Sequence, residues 1–194
     1  MGVQDNNMID GKAFTDSPVE FVVSELTLLR FSLIFTIAYP VLLTIAFLLW
    51  FPASYLRQGL TFLWHLVLWL IPIVVVHEGL HAIVWALSGA KWRNIRFGFH
   101  RQYFTFYTHC KVPISKFTYF AGGIAPFVFL SILPAVYAFY IPSYYWLAFA
   151  IFNGWACAAD LLMCYYVLLL PPKVHLLDHP EKLGFFIYST QQKA

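Results

Sequence analysis

Four long apolar runs constrain the fold of this chain more than any other feature. A run of about 20 apolar residues can cross the hydrocarbon core of a bilayer as one helix. Such runs cover roughly residues 31–51, 60–87, 117–141 and 144–170. The sequence therefore predicts an all-α, polytopic membrane protein with about four transmembrane helices.

The composition supports this interpretation. Charged residues make up 11% of the chain and hydrophobic residues 61%, with a mean hydropathy of +0.70. A soluble domain carries about 25% charged residues, so the composition excludes an ordinary soluble domain. We expect the lipid bilayer as a partner and no nucleic acid. The sequence leaves the oligomeric state open, and its three cysteines are expected to be free thiols.

The charges of the loops predict an orientation. Only Arg57 lies in the two loops on one side, whereas the 88–116 loop is rich in basic residues. These are Lys91, Arg93, Arg96, Arg101, Lys111 and Lys116. Because cytoplasmic loops carry the excess of Lys and Arg, we expect the 88–116 loop and both termini in the cytoplasm. The chain then divides into a cytoplasmic, amphipathic segment (1–30), a four-helix membrane domain (31–170) and a cytoplasmic segment (171–194) of a prokaryotic plasma-membrane protein.

The loop between the second and third helices has a strand pattern. Ile95, Phe97 and Phe99 alternate with more polar residues, and residues 103–107 are rich in aromatic side chains and Thr. Alternation of this kind predicts a β-hairpin, here with its turn near His100-Arg101. Upstream, residues 18–29 are expected to form a short amphipathic helix on the same surface.

Two carboxylates stand inside the predicted spans. Glu78 and Asp160 are the only acidic residues between Glu25 and Asp178. At about 1.5 Å rise per residue they lie at matching depth in the second and fourth helices. Ionisable groups inside a membrane are costly and mark functional sites.

Histidines accompany the first of these carboxylates. His77 and His81 are four residues apart, so on a helix both imidazoles point to one side and can bind one metal ion. A catalytic zinc ion takes three protein ligands and lowers the pKa of its water to about 7. We expect Asp160 as the third ligand and Glu78 as the general base. Cys157, Cys164 and His109 are alternative ligands, and a purely structural pairing of the two helices is the competing interpretation.

Three further positions carry predictions. Asn153 precedes Asp160 by seven residues, on the same face of a straight helix. Its amide either binds substrate or makes a hydrogen bond between helices. Pro72 is expected to bend the second helix. Asp178 or His179 is expected to cap a helix that begins at Pro180.

These residues together resemble a known family. The sequence from His77 to His81, HEGLH, followed by a charged β-prone loop, Asn153 and Asp160, is similar to the core of the site-2 proteases, which are intramembrane zinc metallopeptidases. Within that clan the chain resembles most a short membrane family described as putative zincin peptidases. Members share CxxP, AP and DHP motifs, which appear here at Cys110–Pro113, Ala125-Pro126 and Asp178–Pro180. The resemblance covers roughly residues 70–188.

The resemblance implies a metallopeptidase domain at 31–170. Zinc would be held by His77, His81 and Asp160, with Glu78 as base, Asn153 as a substrate-binding residue and a membrane protein as the substrate. The sequence NGWACAADLL departs from site-2 proteases, which carry prolines after the Asn and a Gly after the ligand Asp. The alternative function is a non-hydrolytic zinc-binding scaffold or transporter.

Overall fold

The structure is a computed structural model in which helices dominate. It describes residues 17–100 and 105–189, together with two short paired strands, β1 (Met8–Ile9) and β2 (Lys12–Ala13). The described helices are α1 (Glu25–Leu48), α2 (Leu56–Trp85), α3 (Lys116–Pro126), α4 (Leu133–Tyr140), α5 (Tyr144–Ala156) and α6 (Ala158–Leu169). The further strands are β3 (Val19–Val22), β4 (Ile95–His100), β5 (Thr105–Cys110), β6 (Ile114–Ser115), β7 (Val174–Asp178) and β8 (Gly184–Ser189).

The four apolar runs correspond to helices that fit a membrane protein. Among the described residues, three helical stretches are long and apolar enough to cross a bilayer: α1, α2 with its extension to Ala90, and α3 with α4. Their outward faces are apolar; Trp64 is 85% exposed and Val67 80%. Helix α2 continues through Pro72, and a π-helical segment joins α3 to α4.

The fourth run is a broken helix. Helices α5 and α6 meet at Cys157 with a bend of 58°. The amide of Cys157 still bonds to the carbonyls of Asn153 and Gly154, but its ψ of 5° leaves the helical range. The expectation of one straight helix, with Asn153 and Asp160 on the same face, is therefore wrong.

Helix α1 begins earlier than the apolar run indicates. Its first residue is Glu25, and the Ser24 hydroxyl accepts a hydrogen bond from the Thr27 amide at 3.2 Å. A side-chain cap of this kind fixes where a helix starts. The amphipathic helix predicted over 18–29 is wrong in its first half, because residues 19–22 form the strand β3.

A four-stranded antiparallel sheet makes the all-α prediction incomplete. Its strand order is β3-β8-β7-β6, so segments from both ends of the described chain pair beside the 88–116 loop. Phe185 in β8 is fully buried, with its ring 5.0 Å from Phe21 and 5.7 Å from Tyr119 of α3. The helix predicted from Pro180 is wrong, because the chain runs from an irregular loop into β8.

The predicted hairpin is confirmed by β4 and β5. They pair antiparallel from Ile95 with Cys110 to His100 with Thr105. The turn predicted near His100-Arg101 lies outside the described residues, which resume at Thr105. Gly98 leaves room for the Tyr107 ring opposite, because a Cβ there would lie 2.4 Å from Cζ of that ring.

Candidate metal centre

Three side chains from the two helices α2 and α6 converge to form a cluster. His77 Nε2 lies 3.2 Å from His81 Nε2 and 3.2 Å from Asp160 Oδ2. His81 Nε2 lies 3.6 Å from Asp160 Oδ1. Both histidines are buried, and Asp160 lies in the first turn of α6, beyond the bend.

These separations fit a zinc ion. Ligand atoms at about 2.0–2.1 Å from a tetrahedral zinc ion lie roughly 3.3 Å from one another. The three separations, between 3.2 and 3.6 Å, are close to that value. Two imidazole nitrogens and one carboxylate are also a donor set of the catalytic type, which leaves one position for water or substrate.

A second hydrogen bond orients His81 for this role. Its Nδ1 lies 2.8 Å from the carbonyl oxygen of Gly122 in α3. Because a carbonyl only accepts hydrogen bonds, Nδ1 carries the proton and Nε2 turns its lone pair toward the cluster. Partners of this kind fix the tautomer of a metal-binding histidine.

Gly122 also allows a tryptophan to pack beside the cluster. A Cβ at residue 122 would lie 2.0 Å from Trp85 Nε1. The Trp85 ring stacks on His81, with centroids 5.7 Å apart and planes at 27°. Only a glycine therefore combines the carbonyl that orients His81 with room for the ring that covers it.

The alternative ligands do not join the cluster. Cys157 Sγ lies 4.0 Å from His77 Nδ1, the ring nitrogen that points away from Asp160, and Cys164 Sγ faces the carbonyl of Phe120 at 3.8 Å. His109 faces Asp178 instead. Within the described part of the chain, the group that could hold a metal comprises His77, His81 and Asp160. All three cysteines are free, as predicted.

Glu78 lies between two cavities. The larger, about 1270 Å³, also contains the three candidate ligands, residues 105–109 of β5 and the loop that precedes β8. The smaller, about 310 Å³, is lined mainly by apolar residues of α2 together with Phe106. The Thr108 hydroxyl donates to the Glu78 carbonyl at 3.0 Å, which fixes the hairpin against the helix beside this carboxylate.

Asp178 has a role in the cavity wall that the sequence did not reveal. Its Oδ2 accepts from the Cys110 amide at 2.9 Å and its Oδ1 from the Tyr119 hydroxyl at 2.7 Å. His109 Nδ1 lies 3.9 Å from the same carboxylate. Burial raises the pKa of Asp178, and the hydrogen bonds oppose that shift. The DHP motif was the available signal, but its interpretation as a helix cap is wrong.

Asn153 is separate from the cluster. It is fully buried in α5, and its Nδ2 donates to the carbonyl of Phe149 at 2.9 Å. Among the described residues its Oδ1 has no hydrogen-bond partner, and Asn153 is not among the residues that line either cavity. Its role in substrate binding stays a prediction.

Comparison with known proteins identifies a family. Residues 70–175 match the model of a family described as "Putative zincin peptidase". The matched region contains Glu78 and all three candidate ligands. No curated protein and no solved structure matches the chain.

Proposed function

Since the chain belongs to the family described as "Putative zincin peptidase", we propose that it is a zinc-dependent intramembrane peptidase of the site-2-protease type. Its substrate would be a membrane protein. The observation that carries the proposal is the separation of 3.2–3.6 Å among the donor atoms of His77, His81 and Asp160, directly beside Glu78.

The residues divide the chemistry of hydrolysis between them. A zinc ion held by the two histidines and Asp160 would polarise the substrate carbonyl and acidify a water molecule. Glu78 takes a proton from the attacking water as its oxygen bonds to the carbonyl carbon. Glu78 then delivers that proton to the nitrogen as the carbon–nitrogen bond breaks. Because His81 Nδ1 donates its proton to the Gly122 carbonyl, the lone pair of His81 Nε2 would stay available for the zinc ion during the whole reaction.

Strand β5 offers an edge on which an extended substrate can bind. Lys111, which follows β5, donates its amide to Asn94 across the hairpin, whereas the Cys110 amide points away from β4. Because antiparallel pairing alternates, the N–H and C=O groups of Thr108 and Phe106 also point away from β4. Both residues line the larger cavity. A peptide that adds to this edge would lie beside Glu78.

The sheet supports the proposed orientation. Strand β6 lies at the end of the basic 88–116 loop, and it shares one sheet with β3 and β8 from the two ends of the described chain. A single sheet of four strands stands on one side of a bilayer. Together with the basic loop, this favours placing both termini in the cytoplasm of a prokaryote.

The test compares the wild type with Glu78→Gln and Asp160→Ala, purified in detergent and loaded with zinc. We expect about one zinc ion per chain in the wild type, as one catalytic site requires. Glu78→Gln should keep the zinc and lose cleavage of a fluorescently labelled casein at least ~100-fold, because general-base catalysis contributes that much. Asp160→Ala should lose both.

Cys164→Ala is the matched control for Asp160→Ala, because Cys164 lies on the same helix outside the cluster. It should keep zinc and activity. Cleavage that is equal in the wild type and Glu78→Gln would contradict the peptidase proposal. Zinc bound without any Glu78-dependent cleavage would favour a zinc-binding scaffold or transporter.

A further inference from the structure

The Asp178 carboxylate accepts a hydrogen bond from the Cys110 amide, which a strand bound to the edge of β5 would otherwise use. Every second residue of β5 turns its N–H and C=O groups away from β4. These residues are Phe106, Thr108 and Cys110. Among the described residues, the amides of Phe106 and Thr108 have no backbone partner away from β4, whereas the Cys110 amide donates to Asp178 Oδ2 at 2.9 Å. The amides along this edge are therefore open at Phe106 and Thr108 and closed at Cys110, while the Phe106 carbonyl accepts from the Thr105 hydroxyl at 3.1 Å.

We propose that Asp178 closes the edge of β5 at Cys110 and thereby fixes the register in which an extended peptide binds. The inference rests on the proposed function, since the peptide is the substrate of that site. Pairing is restricted to Phe106 and Thr108, so a substrate cannot slide toward Cys110. Asp178 is a positioning residue, because it acts through the edge and not on the reacting atoms.

The carboxylate is held firmly in this position. Its Oδ1 accepts from the Tyr119 hydroxyl at 2.7 Å, and Tyr119 is itself buried against Phe185 of β8. The side chain of Asp178 is only 14% exposed. A peptide carbonyl that took the Cys110 amide would leave a buried carboxylate oxygen without its donor, and that exchange is unfavourable.

The register matters because the open edge is fixed relative to Glu78. The Thr108 hydroxyl bonds to the Glu78 carbonyl, so the residue paired with Thr108 has a set position along α2. Antiparallel and parallel pairing both repeat every two residues along the bound strand. A slip of the substrate would thus present a bond two residues away to Glu78.

The first test measures binding without catalysis. The Glu78→Gln protein is mixed with a ten-residue peptide of alternating Val and Thr, and amide hydrogen exchange is followed residue by residue. We expect the peptide to slow exchange at Phe106 and Thr108, while Cys110 exchanges slowly with or without it. In the double variant Glu78→Gln with Asp178→Ala, the Cys110 amide should exchange fast without the peptide and slowly when the peptide is bound.

Two further variants test whether the effect of Asp178→Ala comes from the lost bond to Cys110 or from the unpaired Tyr119 hydroxyl. Tyr119→Phe removes the other donor to Asp178 but keeps the Cys110 bond, so its exchange pattern should match that of the parent. Asp178→Ala combined with Tyr119→Phe avoids leaving the hydroxyl unpaired and should behave as Asp178→Ala does. The proposal is overturned if the peptide protects neither Phe106 nor Thr108, or if Cys110 stays fast with peptide in both Asp178 variants.

The second test maps cleavage positions in β-casein by mass spectrometry, with Glu78 restored. Asp178→Ala should add positions two residues away from those of the wild type, and Tyr119→Phe should not. Unchanged positions in Asp178→Ala would contradict the register proposal while leaving the peptidase intact. Absence of cleavage by the wild type would instead contradict the peptidase proposal, and the exchange pattern would still decide the register.

Discussion

At the scale of single residues, the sequence predicted the side chains of the cluster but not those that support them. His77, Glu78 and His81 form a local motif, and Asp160 is the only other acidic residue within the predicted spans. Their chemistry can be inferred from residue type and spacing. The supporting contacts cannot, because His81 meets the Gly122 carbonyl 41 positions along the chain.

Gly122 is the supporting residue whose substitution should be most informative. In Gly122→Ala the new methyl group would overlap Trp85, and either the ring or the α3 backbone must move. Overpacking of this kind costs about 1–3 kcal/mol. Losing the oriented contact to His81 should weaken zinc binding by roughly 10–100-fold. Thermal unfolding and a competition titration with a zinc chelator measure the two effects.

Gly79→Ala is the matched control for overlap. It lies between the two histidines on α2, and an added Cβ there meets nothing within 4 Å. Alanine is favoured over glycine inside a helix by up to about 1 kcal/mol, so this variant should unfold at an equal or higher temperature. If Gly122→Ala and Gly79→Ala change the unfolding temperature equally, the close approach of Trp85 is not the reason that residue 122 is a glycine.

At the scale of elements, length and apolar character predicted the helices and missed the sheet. A long apolar run carries its own signal, whereas β6 has two residues and pairs with β7, some 60 positions later in the chain. Short strands depend on distant partners, so their burial is visible only in the folded chain. The break at Cys157 also has no local signal in the sequence, because no proline lies in α5 or α6.

The start of α3 offers a test of what positions the Gly122 carbonyl. The Ser115 hydroxyl accepts from the Thr118 amide at 3.1 Å, so Ser115→Ala should destabilise the protein by about 1 kcal/mol. Ser143 stands at the same place before α5 without a side-chain cap bond, so Ser143→Ala should change stability by less than about 0.5 kcal/mol. Denaturant unfolding in detergent measures both. Equal losses would mean that the cap bond of Ser115 contributes nothing.

At the scale of the whole molecule, the shared sheet predicts which segments face the same solution. Single cysteines introduced at Ser17, Arg93 and Glu181 should all react with an impermeant maleimide from one side of a vesicle, and one at Ala53 from the other. All four positions are exposed. Labelling of Ser17 or Glu181 from the side opposite to Arg93 would contradict the orientation.

The native thiols should not obscure this measurement. Cys110, Cys157 and Cys164 are all buried. Burial raises the pKa of Cys110 to about 11, so little reactive thiolate forms at neutral pH. The wild type therefore serves as the unlabelled control on both sides of the vesicle.

The pairing of β3 with β8 has a consequence for biosynthesis. β3 leaves the ribosome before any of the long helices, yet its partner is the last of the described strands to be made. At about 5–20 residues per second, α1 is synthesised several seconds before the sheet can close, whereas α6 precedes closure by only about 1–4 s. Val22, Ser24 and Gly184, which line the larger cavity, come together only then. A nascent chain whose helices are already made therefore lacks a finished cavity, and the proposed peptidase site is complete only after β8 has been translated.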